Sequence, residues 1–192
     1  MLIPRDLLEK YNKAVPRYTS YPPANFFEEK PSGKAVEELL QASNNDKPEN
    51  ISIYIHIPFC PQLCFYCGCN TTITRNKGWI SKYLEALKKE INMVGSQLSA
   101  DRKVTQVHWG GGTPNYLEAA HIREIMDLLK ANYRFDERPE IAIEVNPGYL
   151  TKDYVDDLLT AGFNRFSIGI QDFKEEVLDA VNRARPKMPV KE

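Results

Sequence analysis

The strongest constraint on the fold is a regular alternation of strand and helix patterns after residue 50. Residues 51–57, ISIYIHI, place isoleucines on one face and polar side chains on the other, with the period of two that is typical of a β-strand. Similar patterns predict further strands at 104–109, 140–145 and 166–171. Apolar residues at helical spacing predict helices at 79–98, 118–131, 151–162 (capped by Thr151 and Gly162) and 174–182. This βαβα order predicts an α/β fold with parallel strands and right-handed crossovers.

The predicted strands carry polar residues on one face. Tyr54 and His56 share a face of the first strand, Glu144 lies on the third, and Gln171 ends the fourth in phase with Ser167. In barrel-like α/β folds the chemistry collects at the carboxyl ends of the strands. We therefore expect a polar site there, with an internal hydrogen-bond network as the alternative explanation for these side chains.

All four cysteines of the chain lie within residues 60–70, at Cys60, Cys64, Cys67 and Cys69. Disulfides between such close neighbours would close tiny loops and constrain little chain entropy. Thiolates are soft ligands that select zinc, copper(I) or iron–sulfur clusters. Structural zinc usually takes ligands from two separated pairs, and this chain has no second pair, so the spacing favours a cluster over zinc. Cys69 either completes a four-thiolate site or has another role.

Composition excludes several classes of protein. The net charge of -1 lacks the basic footprint of a nucleic-acid binder. No apolar run approaches the length that crosses a membrane, and the N-terminal MLIPRDLLEK does not have the pattern of a signal peptide. The sequence thus predicts a cytoplasmic protein, where thiols stay reduced, with neither nucleic acid nor membrane as a partner.

A glycine-rich segment, GGGTP at 110–114, follows the second predicted strand. Glycines after a strand often serve only a tight turn, and the spacing fits neither a P-loop nor a dinucleotide fingerprint. Beside a cluster, residues without a Cβ atom would let a ligand lie against the backbone.

Several segments together resemble one family. The CxxxCxxC loop after a first strand resembles the radical S-adenosylmethionine (SAM) superfamily, and more closely the oxygen-independent coproporphyrinogen III oxidases, also called coproporphyrinogen dehydrogenases. The matching segments are PRYTSYP (16–22), YIHIPFCPQLCFYCGCN (54–70), HWGGGTP (108–114), EVNPG (144–148), GIQDF (169–173) and VNR (181–183). They occur in order and span nearly the whole chain.

The resemblance implies cofactors and a reaction. Cys60, Cys64 and Cys67 match the thiolates that hold a [4Fe–4S] cluster with one open iron, where SAM binds, with a second SAM beside the first. An electron from a donor such as flavodoxin or ferredoxin would pass through the cluster and cleave SAM to a 5′-deoxyadenosyl radical. This radical abstracts hydrogen from propionates of coproporphyrinogen III. Two decarboxylations then give protoporphyrinogen IX in anaerobic haem biosynthesis.

The resemblance also implies roles for residues around the cluster. The SAM contacts would be Tyr54, Tyr66, Gly111, Gly112, Thr113, Glu144, Gln171 and Arg183. An ionised Glu144 suits hydroxyl or ammonium groups, and Arg183 suits a carboxylate. The alternatives are a buried network member for Glu144 and a solvated helix-end charge for Arg183. Cys69 matches a family cysteine outside the cluster, and we assign it a catalytic role.

The resemblance implies a partial radical-SAM-type (β/α) barrel with about four of the family's six βα units. Residues 1–50 would form an N-terminal arm with a short helix, and 51–192 a barrel truncated before closure. PRYTSYPPANFF would be an extended arm packed on the domain, or would bring Arg17, Tyr18 and Tyr21 to the substrate. We expect such a fragment to be inactive and to expose the edge of its last strand, which favours association.

Two other functions stay open on the sequence. A haem-trafficking relative would share the cluster loop and bind haem without making it, although such relatives typically lack the PRYTSYP arm and the Cys-Gly-Cys. A non-catalytic fragment that holds a cluster or zinc is the other.

Overall fold

A computed structural model describes residues 4–13, 23–27 and 32–189. The chain divides into two compact units, Met1–Val36 and Glu37–Glu192. The first unit contains helix α1 (Arg5–Tyr11), a 3-10 turn at Ala24–Phe26 and the start of helix α2 (Gly33–Ala42). The PRYTSYP segment, with Arg17, Tyr18 and Tyr21, lies outside the described residues.

The second unit contains the predicted alternation of strands and helices. Its further elements are β1 (Ile51–Ile57), β2 (Phe59–Cys60), β3 (Thr72–Ile73), α3 (Lys77–Gly95), β4 (Lys103–Gly111), α4 (Ala119–Asn132), β5 (Arg134–Val145), α5 (Lys152–Ala161), β6 (Arg165–Ile168) and α6 (Glu175–Ala180). Short 3-10 turns occupy Ser43–Asn45, Pro114–Tyr116 and Pro147–Tyr149.

Four strands form one parallel sheet in the order β1-β4-β5-β6. This confirms the predicted parallel α/β fold and is consistent with a partial barrel. Because all four strands run the same way, their carboxyl ends meet at one edge of the sheet. The loops that follow Ile57, Gly111, Val145 and Ile168 therefore begin side by side.

The core lies between one face of the sheet and helices α3, α4 and α5. Ile55 and Ile57 of β1 are buried there, as the alternating pattern predicts. Helix α4 buries four apolar side chains, each of which stabilises the fold by about 1.5–3 kcal/mol. They are Ile122, Ile125, Met126 and Leu129. The predicted caps of α5 are also present, because Thr151 accepts from the Tyr154 amide and Gly162 adopts φ 105°.

Three predicted elements have different bounds in the structure. Strand β6 ends at Ile168. The Gly169 amide still donates to Val145 O, but the chain then turns away from the sheet. Gln171 adopts a φ of 71°, which lies outside the β region. Helix α3 begins at Lys77 and ends at Gly95, and Trp79 of the predicted apolar stripe is 57% exposed. Helix α6 is shorter than predicted.

Strand β5 is longer than its apolar pattern predicts. Its pairing with β4 is irregular, because Val104 pairs with Phe135 whereas Gln106 pairs with Glu140. The extra residues around Pro139 have no partners in β4, as in a bulge. Periodicity therefore reveals only the second part of β5, where alternate side chains enter the core.

Candidate functional site

The cysteine loop is anchored at both ends by a small parallel sheet. Strand β2 leads into the loop and β3 leaves it, with Phe59 paired to Thr72 and Cys60 paired to Ile73. The Thr74 amide donates to Cys60 O at 2.9 Å. The loop between them therefore starts and ends at fixed points beside the carboxyl end of β1.

Cys60 is the most deeply placed of the four thiols. It is 8% exposed, whereas Cys64 and Cys67 are half-buried and Cys69 is exposed. Its Sγ shares a hydrogen bond of 3.2 Å with Thr113 Oγ1. Burial raises the pKa of the Cys60 thiol and the nearby Cys67 and Cys64 add to this effect, while the Thr113 hydrogen bond opposes it.

The glycine loop packs directly against the start of the cysteine loop. The Gly112 amide donates to Ile57 O at 2.8 Å and the Thr113 amide donates to Phe59 O at 3.1 Å. A Cβ atom on Gly112 would lie 2.9 Å from Cys60 Sγ, and Gly111 adopts φ 117°, which L side chains rarely adopt. These glycines are therefore required by close approach and by backbone conformation.

A cavity of about 250 Å³ opens at this edge of the sheet. The structure brings eleven of the twelve predicted site residues to its wall. They are Cys60, Cys64, Tyr66, Cys67, Cys69, Gly111, Gly112, Thr113, Glu144, Gln171 and Arg183. Gln171 reaches the cavity from the turn after β6, because that turn bends back toward the site. Tyr54 does not line the cavity.

Tyr54 belongs to a polar network on the neighbouring part of the sheet. Its ring stacks on the ring of His108, with centroids 6.0 Å apart, and His108 Nε2 lies 3.1 Å from Glu144 Oε1. His56 Nε2 donates to Asn70 O, so a neutral imidazole accepts at Nδ1 from the Tyr54 hydroxyl. Partial burial raises the pKa of Tyr54, and the charge of Glu144 adds to it. The network joins three strands to the end of the cysteine loop.

Arg183 lies between the turn after β6 and the cysteine loop. Its Nη2 donates to Gly169 O at 2.7 Å and its Nη1 lies 3.8 Å from Cys64 Sγ. The Nε atom is buried and has no hydrogen-bond partner. Arg183 is half-buried against the site, not a fully solvated charge at a helix end.

Sequence reasoning missed a buried asparagine pair beneath the cavity. Asn115 Nδ2 donates to Asn146 O at 3.0 Å, and the Asn146 amide donates to Asn115 Oδ1 at 2.8 Å. Asn146 Oδ1 also accepts from the Gly148 amide. The pair ties the loop after β4 to the loop after β5. The only signal in the sequence is an asparagine after each strand, which also occurs in ordinary turns.

The residues around the cavity fit a thiolate-bound cluster with a polar ligand beside it. All four thiols line one cavity, a glycine backbone faces them, and the guanidinium of Arg183 lies beside Cys64. Within the described part of the chain, no three Cys, His, Asp or Glu side chains are grouped as ligands of a single metal ion. None of the helices in the described ranges is long and apolar enough to cross a membrane.

Comparisons with known proteins lead to one family. The family model described as the radical SAM superfamily matches residues 54–192. The oxygen-independent coproporphyrinogen III oxidase of Synechocystis sp. is 43% identical over 182 residues, which cover 95% of this chain and 39% of the relative. The enzyme of the same name from Salmonella typhimurium is 48% identical over 177 residues, which cover 92% of this chain and 38% of the relative. One from Mannheimia haemolytica is 42% identical over 141 residues, covering 73% of this chain and 94% of the relative.

A solved structure leads to the same family. Coproporphyrinogen III oxidase from Escherichia coli, a radical SAM enzyme, superposes with a TM-score of 0.80 at 45% identity, covering 92% of this chain and 38% of that one. The chain therefore belongs to the radical SAM superfamily and, within it, to the oxygen-independent coproporphyrinogen III oxidase family. It spans about two fifths of the length of the first two relatives named. Membership implies a [4Fe–4S] cluster and SAM as cofactors.

Proposed function

We propose that this chain holds a [4Fe–4S] cluster through Cys60, Cys64 and Cys67 and contributes to the oxidative decarboxylation of coproporphyrinogen III. In this reaction each of two propionates loses a hydrogen atom, carbon dioxide and one electron and becomes a vinyl group, giving protoporphyrinogen IX. The observation that supports it most is the convergence of three thiols, the glycine loop, Glu144 and Arg183 on one cavity.

The three cysteines differ from Cys69 in their surroundings. Cys60 is buried and Cys64 and Cys67 are half-buried, so a bound cluster would be partly shielded from water. Cys69 is the most exposed of the four cysteines. Partial desolvation of its thiol raises its pKa, and the nearby Cys67 and Glu144 add to this effect. We therefore keep Cys69 outside the ligand set. Its catalytic role stays a prediction.

When bound, the cluster and SAM supply one-electron reduction and a carbon radical, chemistry that no side chain provides. The chain would bind and orient them. Gly111 and Gly112 line the cavity and would contact SAM through the backbone, and Thr113 shares a hydrogen bond with the Cys60 thiol. Glu144 can accept from ammonium or hydroxyl groups of SAM, with His108 holding one carboxylate oxygen.

Arg183 and the residues beside it would bind the acidic end of SAM. Its guanidinium lines the cavity, so a carboxylate there would gain a charge-assisted hydrogen bond. Gln171 and Tyr66 line the same wall and would complete the SAM contacts. Tyr54 lies outside the cavity wall and would act on the SAM site indirectly, through its contacts with His108 and His56.

The experiment that tests this proposal is anaerobic reconstitution followed by counting of iron, sulfide and zinc. Cys60→Ala, Cys64→Ala and Cys67→Ala should each abolish the brown chromophore, and Cys69→Ala, the matched control in the same loop, should keep it. Loss of the cluster in Cys69→Ala would refute the three-ligand assignment. One zinc per chain without sulfide would refute the cluster itself.

Activity requires a separate measurement. We expect the reconstituted 192-residue chain to bind SAM weakly, cleave it slowly and make no protoporphyrinogen, because a radical is useful only in a site closed around substrate. A longer family member, assayed in parallel with a reduced flavodoxin or ferredoxin, should make it. Complete decarboxylation by this chain would contradict the expectation. We also propose that the protein is located in the cytoplasm.

A further inference from the structure

The chain after helix α6 returns to the cysteine loop and bonds to it at three points. The Phe65 amide donates to Val181 O at 3.0 Å, Gln62 Nε2 donates to Asn182 O at 2.9 Å, and Asn182 Nδ2 donates to Leu63 O at 2.7 Å. We call these five residues the loop brace. On the loop side, all three bonds involve residues within 62–65, a range that includes Cys64.

The conformation of Asn182 follows from its place at the end of α6. The Asn182 amide donates to Asp179 O at 3.0 Å and the Arg183 amide donates to Leu178 O at 2.8 Å, while Asn182 takes φ 52°. This is the hydrogen-bond pattern of a Schellman motif, in which the left-handed residue is usually glycine and sometimes asparagine. Glycine would suit the turn equally well, but only asparagine adds a side-chain donor that reaches Leu63 O.

We propose that Asn182 is a positioning residue that braces the cysteine loop and so holds Cys64 in place for cluster binding. The inference rests on the proposed cluster ligands. Asn182 does not line the cavity; it acts through the loop backbone. Its neighbour Arg183 lies 3.8 Å from Cys64 Sγ, so the turn that braces the loop also places the guanidinium.

The brace matters because the small sheet fixes only the ends of the loop. Cys60 belongs to β2, whereas Cys64 lies beyond it and has one local backbone bond, from the Cys67 amide to Cys64 O. A ligand that must be ordered on binding costs conformational entropy. Groups that orient metal ligands without touching the metal typically change metal affinity by about 10–100-fold when they are removed.

The first test uses the cluster-free chain. Asn182→Gly keeps the left-handed turn and removes only the side chain, so the circular dichroism spectrum should not change. Hydrogen–deuterium exchange at the Phe65 amide should be faster by about 10-fold or more, because the brace then opens more easily. The control is Asn164→Ala, at a residue that does not line the cavity. This substitution removes two side-chain hydrogen bonds, one from the Ile141 amide and one to Pro139 O. It should leave Phe65 unchanged.

The second test uses the reconstituted chain. Iron release to a chelator should be about 10-fold faster in Asn182→Gly than in the unaltered chain or in Asn164→Ala. The electron paramagnetic resonance signal of the reduced cluster should broaden as Cys64 becomes less ordered. Gln62→Met removes the second brace bond at similar length, and should change both properties in the same direction even if Asn182→Gly fails to fold.

Unchanged Phe65 exchange together with unchanged iron release in a folded variant would overturn the proposal. So would equal effects in Asn164→Ala, since these would show a general loss of stability. If the unaltered chain takes up no cluster, the proposed function fails, but the exchange experiment still decides whether Asn182 orders the loop.

Discussion

The close contact between the glycine loop and Cys60 makes Gly112→Ala an informative substitution. The added Cβ would lie 2.8 Å from Pro58 O and 2.9 Å from Cys60 Sγ. Ordinary contacts begin near 3.4 Å, so the two segments must separate by about 0.6 Å. The hydrogen bonds from Gly112 to Ile57 O and from Thr113 to Phe59 O oppose this movement.

The expected cost follows from overpacking against backbone that cannot yield freely. We expect the free energy of unfolding of the cluster-free chain to fall by about 1–3 kcal/mol. Iron content after reconstitution should also fall, since a binding constellation tolerates a displacement of only about 0.5 Å. Urea denaturation followed by circular dichroism measures the first effect, and iron and sulfide counting measures the second.

Gly33→Ala is the matched control. A Cβ at Gly33, in helix α2, would meet no atom within 4 Å, so neither stability nor iron content should fall. If Gly112→Ala unfolds at the same urea concentration as the unaltered chain and binds the same amount of iron, the close contact does not constrain the site and this reasoning is wrong.

Three further predictions concern titration, cofactor binding and oxygen. Burial holds the pKa of Tyr154 above its usual value near 10, so above that pH the unfolded chain loses a proton that the folded chain keeps. The free energy of unfolding of the unaltered chain should then fall more steeply than that of Tyr154→Phe, by up to about 1.4 kcal/mol per pH unit, and equal slopes in urea titrations would contradict this. Glu144→Gln should leave iron content unchanged but weaken SAM binding by about 10-fold or more in calorimetry, because a charged acceptor is lost; unchanged affinity would remove Glu144 from the site. Air should bleach the visible absorbance of the reconstituted chain because the open iron lacks a thiolate, and an absorbance stable in air would count against a radical SAM cluster.

The sequence alone predicted the order of the four strands of the main sheet and of the helices between them, and it named eleven residues that line one cavity. Strand β1, helix α4 and the caps of α5 were predicted because their signals are local: a period of two, a period near 3.6, and residues suited to helix ends. The cysteine loop and the glycine loop could be assigned to one site because parallel strands bring their carboxyl ends to a common edge.

The tertiary structure alone decided how these residues meet. Tyr54, His108 and Glu144 contact one another across three strands, and this depends on strand register, which no local pattern encodes. Gln171 lies in a turn and not in the predicted strand, because the pairing of β5 with β6 ends at Ile168. The brace joins Leu63 to Asn182 over a sequence separation of 119 residues. Such contacts form only after the chain closes long loops, so they depend on the packing of the whole sheet and not on nearby sequence.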